Sequence, residues 1–330
     1  MRIVVDAMGG DNAPAIEVEG AIQAVQEYGY EIVLVGDQVK VEEELRKQAG
    51  EIPAKITIVN ASQVIAMHDP AAISVRRKRD SSIVVGLELL KRDEADAFVS
   101  AGNTGAVVCA ATLFLRLLPG IERPGIAITM PSITGTSVII DVGANINPKP
   151  IHLLQYGIMA DAYCRYILHK ENPTVGLLSV GEEESKGTEF TKEAHTLLSE
   201  SKLNFIGNVE GRDVYAAKAD IILCDGFVGN AILKISESVA DTIMQLLKRE
   251  IKSSLIATFG AALSSSAFNA LKKKMDYSEY GGAPLLGVDG RCIISHGSSS
   301  AKAIKNAVRV AADFVTQDVN KHIIEELGSY

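Results

Sequence analysis

The stretch DAFVSAGNTGAVVCAATLFLRLL, residues 96–118, reads as a buried strand, a glycine turn and a helix in succession. DAFVS (96–100) is a short apolar run without polar alternation, the pattern of a strand covered on both faces. SAGNTG (100–105) supplies the turn, and the apolar residues from Gly105 to Leu117 continue too long for a strand. Working outward, RIVV (2–5), EIVLVG (31–36) and KITIVN (55–60) repeat the strand pattern before it. After it come IAITM (126–130), SVIIDVG (137–143), TVGLLSV (174–180), NFIGNV (204–209) and DIILCDG (220–226). Helical patterns cover 81–92, 152–169, 188–201 and 228–249. Alternation of strands and helices predicts an α/β fold, a mostly parallel sheet flanked by helices. No repeat or long linker divides the chain, so 1–330 is read as one α/β unit, open to division into two subdomains, with a helical arm over 228–276.

Composition narrows the function. With 47% hydrophobic and 22% charged residues, the 330-residue chain is globular and not disordered. Its 33 basic and 41 acidic residues give a net charge of −8, which argues against binding nucleic acid through a broad basic face. Cys109, Cys164, Cys224 and Cys292 form no C-x-x-C pair, so they read as small apolar residues of a reducing compartment. The most apolar window, 104–118, is interrupted by Arg116 and falls short of the ~20 residues a spanning helix needs. The expectation is a cytoplasmic protein.

The turns at the strand ends carry the chemistry. SAGNTG (100–105), DVGAN (141–145), SVG (179–181) leading to SKGT (185–188), DGFVGN (225–230) and SHGSSS (295–300) each place glycine with polar residues at a strand end. In a wholly parallel sheet these five junctions share the carboxyl edge, where ligands bind, and helix-start N–H groups favour an anion. One such turn is ordinary turn chemistry; five at one edge predict an anion-binding cleft. The chain contains no G-x-x-x-x-G-K-[ST] loop, no G-x-G-x-x-G fingerprint, no G-x-S-x-G elbow and no H-E-x-x-H or D-x-D cluster. Neither cofactor nor metal is expected.

Lys186, among Glu182, Glu183, Glu184 and Glu189, could anchor a phosphate or an oxyanion, or be a solvated lysine paired with those glutamates. Asp225 could orient a ligand or cap the helix after Gly226. His296, before Gly297 and Ser298, could give a proton to a leaving group. Around them Ser100, Gly102, Asn103, Thr104, Asp141, Asn145, Gly187, Thr188, Gly226, Asn230, Gly297 and Ser298 are the candidate substrate-binding residues.

Nine segments together resemble the PlsX-type phosphate acyltransferases: MRIVVDAMGGD (1–11), VRRKRDSS (75–82), SAGNTGA (100–106), DVGAN (141–145), HLLQYG (152–157), IGNVEGRD (206–213), DGFVGN (225–230), MDYSEYGGAPLLG (275–287) and HGSS (296–299). The similarity runs end to end in the same order. It implies the fold of isocitrate and isopropylmalate dehydrogenases and of phosphate acetyltransferases, used without nicotinamide or metal. It also implies transfer of a fatty acyl group from acyl carrier protein to inorganic phosphate, yielding acyl phosphate for phospholipid synthesis. The resemblance points to a homodimer near the membrane, where a glycerol-3-phosphate acyltransferase is the next enzyme. Thr188 departs from the Lys-Gly-Asn common in the family but keeps a hydroxyl donor. Rival readings are a phosphate acetyltransferase acting on coenzyme A thioesters, a dehydrogenase of the shared fold, and a non-catalytic phosphate-sensing scaffold. Phosphate can attack a thioester directly, so the expected route has no acyl-enzyme, with Lys186 as electrostatic anchor.

An acidic carrier needs a local positive patch, for which Arg76, Arg77, Lys78 and Arg79 are candidates; a solvated helix end is the alternative. Between Lys248, Arg249, Lys252 and the later Lys272, Lys273 and Lys274, the apolar Leu255, Phe259 and Leu263 fall at helical spacing, continued by Phe268, Leu271 and Met275. Such a stripe can rest on an anionic membrane surface or pack on itself or a second subunit.

Overall fold

The computed structural model describes residues 1–275, 279 and 281–328. Residues 276–278 and 280, within the 275–287 motif, lie outside the described residues together with 329 and 330. The side chains of Lys272, Lys273, Lys274 and Met275 lie outside them too.

The chain begins with β1 (Arg2–Asp6), α1 (Ala15–Tyr28), β2 (Glu31–Gly36), α2 (Gln38–Ala49) and β3 (Ile56–Asn60). Helices α3 (Ala71–Arg77) and α4 (Ser82–Lys91) lead to β4 (Ala97–Ser100) and α5 (Thr104–Phe114). A hairpin comes next, β5 (Gly125–Ser132) and β6 (Gly135–Ile140), then α6 (Pro150–Tyr166), β7 (Val175–Leu178), α7 (Glu189–Ser199) and β8 (Phe205–Val209). After α8 (Asp213–Ala216) and β9 (Ile221–Leu223) comes the long α9 (Gly226–Lys252), with α10 (Leu255–Leu263) and α11 (Ser265–Met275). The chain returns to the sheet as β10 (Ala283–Leu286) and β11 (Cys292–Ile294) and closes with α12 (Ala301–Thr316) and α13 (Val319–Leu327).

The strands form one sheet in the order β3-β2-β1-β4-β11-β10-β5-β6-β9-β7-β8. Most neighbouring pairs are parallel, as the near-continuous apolar strands predict, and β4 is buried at all four positions. The exceptions decide the site. β10 is antiparallel to β11 and to β5, and β5 is antiparallel to β6. Three reversals between β11 and β6 turn the β6-β9-β7-β8 group against the β3-β2-β1-β4-β11 group. The five glycine junctions therefore do not share one edge, as expected from a wholly parallel sheet. Those after β4 and β11 leave one edge; those after β6, β7 and β9 leave the other. The sequence pattern of β10 and β11 is too short to announce these strands; the two changes of direction around β10 cancel, and the β5-β6 hairpin carries the net reversal.

Helix and strand ends depart from the sequence pattern for identifiable reasons. The 105–117 pattern stops at Phe114, and Arg116 takes a left-handed conformation at φ 72°. The SVIIDVG strand ends at Ile140 because the Asp141 carboxyl takes over the local backbone donors. Conversely, α9 runs beyond 249 to Lys252. On the arm, α9 buries only Gly226, Gly229 and Ser236, and α10 buries nothing.

Candidate active site

At the edge shared by β4 and β11, four loops meet. Ser100 Oγ donates to the buried Asp6 carboxylate at 2.7 Å and accepts from the Gly102 N–H at 3.0 Å. Asn103 caps α5 through the Ala106 N–H, while its amide nitrogen donates to the carbonyls of Ala66, Met67 and Asp69. The Asp11 N–H donates to the Gly297 carbonyl at 2.8 Å. A Cβ at Gly9 would lie 2.6 Å from the Gly102 nitrogen, and one at Gly297 would lie 2.4 Å from Met67 Cε. The GG turn after β1, the 66–70 loop and the two junctions thus form one cradle. The helix starts at Thr104 and Ser300 belong to it, and Thr104 is exposed there.

The exposed polar groups of this cradle form a chain. Lys234, two turns into α9, donates to His296 Nε2 at 2.6 Å. On the other side of the ring the Ser298 N–H donates to Nδ1 at 3.2 Å, and Ser298 Oγ lies 2.7 Å from the same nitrogen. Glu237 pairs with Lys234 at 3.1 Å. Ser300 caps α12 behind them.

At the opposite edge the groups turn inward. Asp141 is fully buried and accepts from the amides of Ile126, Ala144 and Asn145 at 3.0, 3.0 and 2.6 Å. Burial still pushes its carboxyl above the usual range, against those hydrogen bonds. The Asn145 amide nitrogen donates to the Pro124 carbonyl and the Tyr156 hydroxyl. Gly226 donates to the Asn145 carbonyl, and a Cβ at Gly229 would lie 2.0 Å from the Asp141 carbonyl oxygen, so α9 can start here only on glycine. Asp225 caps α9 through the Val228 N–H at 2.9 Å, the capping alternative of its two readings. Asn230 is exposed beside Gly143. From Gly226 to Lys234, α9 rises about 12 Å, at ~1.5 Å per residue, and so joins this edge to the His296 cradle.

Lys186 sits apart, in the loop after β7. It is exposed, and no ion pair to it occurs among the described residues. The glutamates around it bind elsewhere: Glu182 to Arg212 and Lys218, Glu184 to His195, Glu189 to Lys192. Gly187 holds φ 100°, and Thr188 caps α7 through the Thr191 N–H.

Known proteins are similar to this chain in sequence and in fold. A family model described as "Fatty acid synthesis protein" matches residues 1–322. The phosphate acyltransferase of Geotalea daltonii is 51% identical over 327 residues, covering 99% of this chain and 94% of the relative. That of Geobacter sulfurreducens is 49% identical over 327 residues, with the same coverage. The chain belongs to the PlsX-type phosphate acyltransferase family. It is an acyltransferase, and phosphate is the acceptor that fits this family. In fold, the phosphotransacetylase of Streptococcus pyogenes superposes with a TM-score of 0.63 at 18% identity, over 96% of this chain and 94% of that one. The 4-hydroxythreonine-4-phosphate dehydrogenase of Klebsiella pneumoniae gives 0.53 at 11%, over 96% and 99%. Both likenesses concern the fold, which accommodates the dehydrogenase-like architecture expected from the sequence.

Within this phosphate acyltransferase, the motifs leave out Asp6, Asp11, Met67 and Lys234 as site residues. MRIVVDAMGGD shows the same strand-glycine-polar succession as the five junctions, a signal that could have supplied Asp6 and Asp11. Nothing in the local sequence marks Lys234, which joins the site only through the path of α9. Of the basic patch, Arg76, Arg77 and Arg79 are exposed. Lys78 is spent internally on Asp69 at 2.6 Å and the Val64 carbonyl at 2.7 Å. Leu255, Phe259 and Leu263 are 90%, 68% and 72% exposed, joined by Ile256 at 85%, so the α10 stripe is uncovered in a single chain.

Proposed function

We propose that this enzyme transfers a fatty acyl group from acyl carrier protein to inorganic phosphate and so supplies acyl phosphate for phospholipid synthesis. The observation that carries the reading is the Lys234–His296–Ser298 chain beside the glycine cradle and two helix starts. Helix-start N–H groups and Lys234 suit an anionic acceptor and a developing oxyanion. A phosphate oxygen attacks the thioester carbonyl, the C–O bond forms, and collapse of the tetrahedral adduct breaks the C–S bond. The departing thiolate takes a proton from the Lys234 ammonium, which His296 and Glu237 hold at the rim. Solvent then restores Lys234.

No acyl-enzyme is needed, and the thiols support that route. Burial pushes the Cys292 thiol up to about 12 and raises those of Cys164 and Cys224 as well. Lys186, exposed at the opposite edge and without a carboxylate partner among the described residues, would hold an anion there and not the phosphate of the cradle. Arg76 and Arg77 dock the acidic carrier, beside the 66–70 loop that Asn103 ties to the cradle. A homodimer would cover exposed Ile235, Val239 and Ile243 of α9, and the α10 tip would rest on an anionic membrane surface near the glycerol-3-phosphate acyltransferase that takes the product. Liposome flotation that Leu255→Glu with Phe259→Glu leaves intact would remove this tip from the scheme.

The deciding experiment incubates the enzyme with palmitoyl-acyl carrier protein, with and without phosphate. It tracks carrier thiol and hydroxylamine-trapped acyl phosphate together. Equal, phosphate-dependent appearance of both is expected. Thiol release without phosphate would mean a thioesterase, and release from coenzyme A thioesters alone would favour the acetyltransferase-like reading.

A further inference from the structure

Beneath the cradle lies a carboxyl group that the transfer scheme does not use. Glu17, in the first turn of α1, is 1% exposed. Its Oε1 is so close under the GG turn that a Cβ at Gly10 would lie 2.1 Å from it. Oε2 is buried without a hydrogen-bond partner among the described residues. The ionisable groups acting on Glu17 are the carboxyls of Asp6 on β1 and Asp11 on the turn. Helix α12 packs on α1 through Ala301 and Ile304, and the loop after β11 faces Gly10 with the Gly297 carbonyl. No ion pair to Glu17 occurs among the described residues. A negative charge there would be desolvated, beside two further acids and a carbonyl oxygen, so the neutral carboxyl is favoured.

Resting on the proposed transfer reaction, we propose that Glu17 is a positioning residue whose neutral carboxyl holds the Gly9-Gly10-Asp11 turn against the His296 loop, and whose ionisation loosens that turn. The path is short. Glu17 Oε1 sits directly against the Gly10 Cα, the next residue's amide donates to the Gly297 carbonyl, and Gly297 separates His296 from Ser298. Ionised Glu17 repels the Asp11 carboxyl of the turn and Asp6 of β1, which shifts the platform under the Lys234–His296–Ser298 chain. Burial first, then Asp6 and Asp11, raise the Glu17 carboxyl to about 7, where this transition would fall close to neutrality.

The test compares the pH profile of transfer in wild type, Glu17→Gln and Glu17→Ala. In wild type, kcat falls as pH rises through the Glu17 transition, while KM for phosphate changes less. Glu17→Gln stays uncharged, so at alkaline pH it recovers the acid-side rate; Glu17→Ala, lacking the contact, is slowed at every pH. An alkaline decline that persists in Glu17→Gln overturns the proposal. Two readouts are independent of turnover. The infrared carbonyl stretch of a neutral carboxyl, present in wild type on the acid side of the transition, should be missing from Glu17→Gln. Protection of the Asp11 amide, corrected for intrinsic exchange, should fall through the same transition in wild type and stay level in Glu17→Gln. If transfer to phosphate is itself absent, these two decide the role of Glu17 alone; a pH-independent amide or a missing carbonyl band would sink it.

Discussion

The junctions after β4 and after β6 have nearly the same sequence grammar, SAGN against DVGAN, yet they spend it differently. After β6, Asp141 turns inward and collects three backbone amides, and Asn145 and the α9 glycines close over it. After β4, Ser100 and Asn103 also bind the protein's own groups, but the loops they fix hold the exposed Lys234–His296–Ser298 chain at their rim. The antiparallel β5-β6 hairpin puts the two on opposite edges, and α9 ties them together. A strand-glycine-polar junction is thus either a knot or a platform. The distinction lies in which polar atoms remain unspent after folding, and that is a property of neighbours far away in the chain.

The comparison is broken most violently at the knot. Asp141→Ala removes the acceptor of one buried and two part-buried amides, each worth ~1–3 kcal/mol, so a stability loss on the order of 5 kcal/mol is expected in denaturant melts. A loss under ~1 kcal/mol would mean that water or a shifted carbonyl satisfies those donors. On the other edge, Glu17 makes stability pH-dependent. Its folded carboxyl is raised from 4.5 to about 7, so the stabilising proton is fully held below 4.5 and is lost as pH climbs through 7. Wild type should lose roughly 3 kcal/mol relative to Glu17→Gln across that window, at ~1.4 kcal/mol per pH unit. Lys234→Met should leave the melt alone and slow transfer about 100-fold, the lower range for a proton donor. His296→Ala combined with it should cost little more, because the two act in one chain. Additive losses would separate them.

Much of this architecture is legible in the sequence. The apolar runs mark the strands of the sheet and the helices between them, because burial on both faces writes itself into composition. The glycine junctions also stand out, and with them His296, Asp225 and Asn103. What no local pattern announces is direction. APLL and CII, three or four residues each, carry no periodicity, and nothing in the β5 and β6 runs tells that this pair, and not β10, reverses half the sheet. Direction then separates Lys186 from His296 and brings Lys234 in from the middle of a helix. Lys78 escapes a local reading for a similar reason: within a basic run, nothing nearby tells which cation meets Asp69.

The smallest effect tests whether the platform's flank receives a partner. Arg76 and Arg77 end α3, and the loop leading into that helix is pinned to the cradle by Asn103. In a chain of net charge −8, two guanidinium groups without an ion-pair partner among the described residues create a local field that an acidic carrier would follow. Arg76→Glu with Arg77→Glu should raise KM for the carrier substrate about tenfold, ~1.4 kcal/mol, and the penalty should shrink at high salt. KM for phosphate should stay within ~2-fold, since these side chains steer encounter without entering the cradle. Lys78→Glu belongs in a separate experiment, because it breaks the Asp69 contact and should disturb both constants. Equal rises for carrier and phosphate in the double variant would show that α3 supports the cradle's shape and that the carrier docks elsewhere.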